Sequence, residues 1–135
     1  MILRHLRPAE WGLVAVSVAL VFAPPGTNVK VTMGASMLGL RFVLINPTER
    51  NHEGEGYLID HHRSMYATPY RVARDMWMLN DVRINTLVRH GIENRRVARA
   101  HEIAREYLNE AETQLQNLNY DRFLTAARSA WSFES

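Results

Sequence analysis

Apolar positions change period along this chain, and each change marks an element. Residues 11–23 form a run of thirteen residues without a charge. Pro24-Pro25-Gly26 then breaks any regular structure. Val29, Val31 and Met33 alternate with Lys30 and Thr32, the period-two pattern of a strand. Residues 38–45 are apolar apart from Gly39 and Arg41 and predict a second strand, ended by Asn46-Pro47. Residues 48–56 are polar and glycine-bearing, which predicts a surface loop, and residues 57–60 allow a short strand.

From Thr68-Pro69 the period becomes helical. Thr68 is a candidate cap and Pro69 suits a first turn. Val72, Met76 and Leu79 lie on one stripe, and Trp77, Ile84, Leu87 and Val88 widen it. Gly91 sits where a helix stops, and Asn94 is placed to cap the next one. Val97, His101, Ala104, Leu108, Ala111, Leu115 and Leu118 step by four and three, an a/d seam. Asn117-Leu118-Asn119-Tyr120-Asp121 reads as a short polar turn, and Tyr120, Phe123, Leu124, Ala127 and Trp131 then predict a last amphipathic helix. Connections this short make neighbours antiparallel. The expected fold is α+β and helix-dominated: a short β-containing N-terminal part, then an antiparallel helical hairpin or three-helix unit. The segments are 1–25, an anchor-like or targeting-like stretch, 26–67, short strands and a polar loop, and 68–135, the helical unit. Residues 69–131 are expected to fold without what precedes them.

The run at 11–23 has two readings. As a helix it would rise ~20 Å, against a hydrocarbon core of ~30 Å. Arg4 and Arg7 precede it, as in a membrane anchor or targeting segment oriented by its positive flank. Pro24 disfavours cleavage after Ala23, so the membrane reading is an uncleaved anchor. Val14, Val16, Val18 and Val21 suit instead a buried core strand, which would make the chain cytoplasmic.

Composition narrows the classes. The chain has 135 residues, 47% hydrophobic and 22% charged, enough to bury a core and unlike a disordered segment. It has no cysteine, which removes disulfides, thiolate metal sites and Cys nucleophiles. Net charge is +2, with Lys30 the only lysine. From residue 69 onward ten arginines meet nine acidic residues, spread evenly along the chain. A nucleic-acid partner is therefore not expected, because such proteins gather positive charge on one face.

The stretch Gly56-Tyr57-Leu58-Ile59-Asp60-His61-His62 carries the most explicit chemistry. A strand delivering Asp-His-His resembles the namesake motif of the DHH phosphoesterases, which implies a two-metal phosphoester hydrolase using Asp60 and His61. Such a site draws carboxylates and imidazoles from separate loops. The partner motif, aspartates after an earlier strand, is missing, since residues 46–50 read Asn-Pro-Thr-Glu-Arg. Adjacent strand residues also point to opposite faces, so His61 and His62 diverge. His52-Glu53 fails as a zincin start because position 56 is Gly56, not histidine. The candidate metal ligands are thus His52, Asp60, His61 and His62, with solvated loop polarity as the expected role. No catalytic residue and no cofactor is assigned. His101, on the heptad seam, is expected to be a packed histidine sharing a proton with a carboxylate or carbonyl, and His90 to favour its helix C-terminus. Met76, Trp77 and Met78 are expected in the core and its rim. Ser36 and Ser64 lack a nucleophile-elbow setting.

Within residues 69–131, Arg74-Asp75-Met76-Trp77-Met78-Leu79-Asn80-Asp81, Arg83-Ile84, His90-Gly91-Ile92 and Tyr120-Asp121 resemble a helical segment of large bacterial and archaeal membrane proteins of the FtsX-like permease type. The resemblance covers under half the chain. It implies an extracytoplasmic helical unit within a longer membrane protein and brings no catalytic motif. The expected function is a non-enzymatic interaction or structural module of a bacterial membrane-associated protein. Its partner would be a protein, or a second copy, met through the helices. The alternative is the metal-dependent hydrolase fragment.

Overall fold

The computed structural model describes residues 20–34, 41–62 and 64–135. The order is β1 (Asn28–Val29), β2 (Val31–Gly34), β3 (Arg41–Leu44), β4 (Tyr57–Leu58), α1 (Thr68–Arg89), α2 (Arg95–Gln116) and α3 (Tyr120–Glu134). The fold is α+β and helix-dominated. Most of the apolar run at 11–23, and Ser36 with its neighbours, lie outside the described residues. Among the described residues no helix is long and apolar enough to cross a membrane.

The alternating run at 29–33 does not form one strand. It divides at Lys30, and the two halves pair with different partners. β1 lies antiparallel to β4, with Asn28 opposite Leu58 and Val29 opposite Tyr57. β2 lies antiparallel to β3, with Val31 opposite Leu44 and Met33 opposite Phe42. Two-stranded ribbons are marginal alone. These gain support by packing Leu44 and Tyr57 onto Val72 and Met76 of α1, with Phe42, Met65 and Trp131 against the cluster.

Loop 48–56 is less of a free surface loop than its polarity suggests. Gly56 donates to the Ile45 carbonyl at 2.8 Å and Glu55 to that of Asn46 at 3.0 Å, so the loop folds back on the end of β3. Gly54 has φ +83°, and a Cβ there would lie 2.0 Å from the Ile45 carbonyl oxygen. Only glycine fits that approach.

Asp75 fastens this loop to α1. It is 0% exposed. Its Oδ2 accepts from the backbone N–H of Ile45 at 3.0 Å and of Asn46 at 2.9 Å, and from the Tyr57 hydroxyl at 2.9 Å. Arg74 donates to Oδ1 at 3.2 Å. A buried carboxylate is tolerable when it is hydrogen-bonded this fully. Burial and the neighbouring Asp75 charge push the Tyr57 hydroxyl up to about 12, so it stays a donor.

The helices pack mainly through small residues. Ala111, Ala126 and Ala127 meet Phe123, and Ala73 and Ala130 meet Leu108. Alanine at these positions lets the axes approach closely. The seam expected along α2 is buried only in its middle, at Ala104, Leu108 and Ala111, while Val97, Leu115 and Leu118 are exposed. The inward face of α3 is Phe123, Ala126, Ala127 and Ala130, and Tyr120 and Leu124 turn outward.

The helix ends follow local chemistry, with one exception. Asn94 caps α2, accepting from Arg96 and Val97. Gly91, with φ +76°, closes α1 in a Schellman motif: Ile92 N–H donates to the Leu87 carbonyl and Gly91 N–H to that of Val88. Thr68 does not cap α1. The capping position is Ala67, in the left-handed region at φ 56°, while Thr68 is already helical and its hydroxyl donates to the Met65 carbonyl.

Candidate functional site

The predicted ligands of the Asp-His-His stretch serve local structure or face solvent. Asp60 Oδ2 accepts from Gly26 N–H at 2.7 Å and latches the Pro24–Thr27 turn to the end of β4. His62 packs edge-on against Tyr57, centroids 5.2 Å apart at 84°. His61 is exposed, and His52 is exposed in the loop. Among the described residues no three His, Asp or Glu side chains converge on a point that could hold a metal ion. The strand expected to deliver them is only two residues long, and Asp60 and His61 lie in the turn that follows.

A different constellation forms where the three helices meet near the end of α3. His101 Nδ1 lies 2.8 Å from Glu134 Oε1, and its Nε2 lies 3.2 Å from Asp81 Oδ1. The Trp77 indole stacks on the imidazole, 4.7 Å between centroids and 4° from parallel, and its Nε1–H donates to the His101 carbonyl at 3.1 Å. Asn80 donates to Glu134 Oε2 at 2.7 Å and to its carbonyl at 3.2 Å. Trp77, Asn80 and Asp81 stand on α1, His101 on α2 and Glu134 on α3, so the network ties all three helices together.

The arrangement favours the imidazolium. A ring with a carboxylate at each nitrogen satisfies both only by donating from both, which the charged form alone can do. Burial opposes the charge on His101, but the Glu134 and Asp81 carboxylates outweigh it and raise its pKa above 6.5. The stacked indole face adds attraction for the cation. Because the carboxylates sit on opposite ring edges, they do not share an ion. The Ser135 hydroxyl, at this end, donates to the Trp131 carbonyl. The network is therefore suited to clamping the three helices together.

Beside this clamp, residues of α1, α2 and the last turn of α3 border a groove. Ile84 and Leu87 of α1, Val97 of α2 and Phe133 of α3 line it, while Arg95, Arg96, Arg99 and Ile103 of α2 line a shallower surface on the other side of Phe133. Two adjoining hollows of about 360 and 310 Å³ share Ala100 and Phe133. Leu87 and Val97 remain 47% and 46% exposed. The charge expected to be even is uneven here: Arg83, Arg89, Arg95, Arg96 and Arg99 lie between positions 83 and 99 with Glu93 as the only acidic residue. None of these five arginines makes an ion pair among the described residues.

Sequence reasoning identified His101 as a packed, proton-sharing residue and missed its partners. Trp77 and Asp81, four apart on one helical face, carried a signal for them. Glu134 carried none, because only the tertiary fold brings α3 to α2 at that point. Comparison with family models, with curated proteins and with solved structures finds no match.

Proposed function

We propose that the chain is a non-enzymatic interaction module of a bacterial membrane-associated protein, and that the open end of its helical unit is the contact surface. One observation carries this reading: Leu87 and Val97 line one groove and remain about half exposed, next to a clamp that holds the groove's floor in place. Exposed apolar residues scattered singly need no explanation, whereas residues gathered in a concave site suit a partner. The membrane part rests on the uncharged run at 11–23 behind Arg4 and Arg7, and on the resemblance of residues 69–131 to a segment of FtsX-like permeases.

The test places a photo-crosslinking amino acid at Leu87, and separately at exposed Arg128 on α3 as a control, in cells expressing the full chain. Protein adducts specific to position 87, with the chain in the membrane fraction, are expected. No adduct at 87, or equal adducts at 128, would remove the interaction reading. Recovery of the chain in the soluble fraction would remove its membrane part.

A further inference from the structure

Building on the interaction reading above, we infer that the groove between α1, α2 and Phe133 receives an amphipathic helix of a protein partner with an apolar stripe flanked by acidic residues. Shape comes first. The hollow between Ile84 and Leu87 of α1 and Val97 of α2 is apolar and half open. Phe133, which stacks on Tyr107 at 5.9 Å, separates it from a shallower surface lined by Arg95, Arg96, Arg99 and Ile103 of α2. A convex apolar ridge fills such a space, and the i, i+4, i+7 face of a helix is one.

Charge selects the flanks. Arg83, Arg95, Arg96 and Arg99 line the hollows and none is paired among the described residues. Arg95 and Arg96 open α2, where the helix dipole already places positive charge and no acidic side chain stands in the first turn. Cations there cost stability. Carboxylates on a partner would reverse that cost and steer its approach. The carboxylates on the clamp do not supply this balance: Glu134 is engaged by His101 and Asn80, and Asp81 by His101 and Asn85.

Other occupants fit less well. A nucleic acid would answer the arginines but leave Ile84, Leu87, Val97 and Ile103 against a polar backbone. A flat anionic bilayer would meet the rim without entering the concavity. In a second copy, α2 carries Glu102, Glu106 and Glu110, but its apolar face is buried against α3 through Ala104, Leu108 and Ala111 and has nothing to insert.

The experiment measures fluorescence anisotropy of labelled synthetic peptides of about 18 residues, five helical turns, with the full chain in a detergent micelle. One peptide carries leucines on a single face flanked by glutamates. A second replaces the glutamates with lysines, and a third replaces the leucines with serines. Saturable binding of the first alone is expected. Arg95→Glu with Arg96→Glu and Arg99→Glu should weaken it at least about tenfold and transfer binding to the lysine peptide. These exposed substitutions place acid at a helix start, so the fold is retained. Leu87→Ser should weaken binding of the first peptide without creating affinity for the second.

Failure of the first peptide to bind, equal binding of the lysine peptide, or indifference to the arginine reversals would each overturn the inference. So would light scattering that shows self-association through this face. Preferential binding of a DNA duplex, or of vesicles containing phosphatidylserine, would assign the arginines to another class of partner. A crosslink at position 87 without peptide binding would reject this occupant and leave the interaction reading standing. Absence of both would remove the interaction reading itself.

Discussion

Glu134 holds His101 Nδ1 at 2.8 Å across 33 residues of chain, and thereby sets one charge on the clamp that closes the bundle. The folded protein binds the His101 proton more tightly than the unfolded chain does, because the carboxylates of Glu134 and Asp81 overcome the cost of burial. The sign of the linkage follows. The clamp contributes in full below the unfolded value of 6.5 and is lost as pH rises through the higher folded value. Urea denaturation from about pH 6 to about pH 9 should show stability declining through that window, and Glu134→Gln should flatten the decline. An imidazole that titrates below 6.5 in an NMR series would contradict the assignment.

Asp75 should be the most sensitive polar residue in the chain. Replacing it with alanine leaves the Ile45 and Asn46 N–H groups and the Tyr57 hydroxyl without their acceptor. Removing such a buried carboxylate costs about 3–5 kcal/mol. Asp75→Asn keeps one acceptor oxygen and should cost less. Tyr57→Phe removes a single donor and should cost about 1 kcal/mol. Hydrogen exchange at the Ile45 and Asn46 amides should quicken in Asp75→Ala before the helical amides respond.

The helices were legible because their limits are encoded next to them. Asn94 caps by its own side chain, and Gly91 supplies a left-handed residue where α1 must turn. The strands were less so, since alternation at 29–33 states that a residue faces inward but not which strand it meets. Asp75 was hidden for a related reason. A carboxylate beside Val72 and Met76 reads as the edge of a polar face, and only the fold of loop 46–56 brings donors to it. The arginine groove was masked by acidic residues that sit elsewhere on the helices. Glu102 pairs with Arg105 at 2.6 Å, away from the groove, so an even sequence became an uneven surface.

Leu118 should be improved by substitution. It ends α2 in the left-handed region at φ 57°, with Asn119 N–H donating to the Gln114 carbonyl at 2.8 Å, and its side chain is 70% exposed. A left-handed residue with a Cβ costs about 1–2 kcal/mol. Glycine relieves that strain but gains freedom in the unfolded chain, so Leu118→Gly should raise stability by about 0.5–1 kcal/mol. Leu118→Val should lower it, because branching at Cβ worsens the same clash. Thermal melts of the three proteins test the order.

The Asp-His-His stretch gives a chemical prediction. Protein purified without chelator should carry zinc, manganese and iron well below one equivalent, because Asp60 is committed to the Gly26 N–H and His62 packs on Tyr57. Asp60→Ala should loosen the turn at Pro24–Thr27 and cost about 1 kcal/mol. Stoichiometric metal that disappears in a His61→Ala and His62→Ala double variant, together with phosphodiesterase activity, would instead establish the hydrolase.

The helical unit should survive on its own at reduced stability. α2 and α3 share Ala111, Phe123, Ala126 and Ala127, and Tyr70, Ala73 and Trp77 attach α1 to them. None of these contacts involves a residue before Ala67. Cutting the chain before Thr68 removes Leu44 and Tyr57 from Val72 and Met76, each of which then gives up part of the ~1.5–3 kcal/mol that full burial provides. Asp75 loses its three donors but gains water, so it imposes no penalty in the fragment. Residues 68–135 should therefore show helical circular dichroism and a cooperative melt at a lower temperature than the full chain. Leu108→Asp places a charge between Ala73 and Ala130 and should cost more than about 3 kcal/mol, enough to unfold the fragment before the full chain. Random-coil circular dichroism from the fragment would show that the short strands are required for the helices to pack.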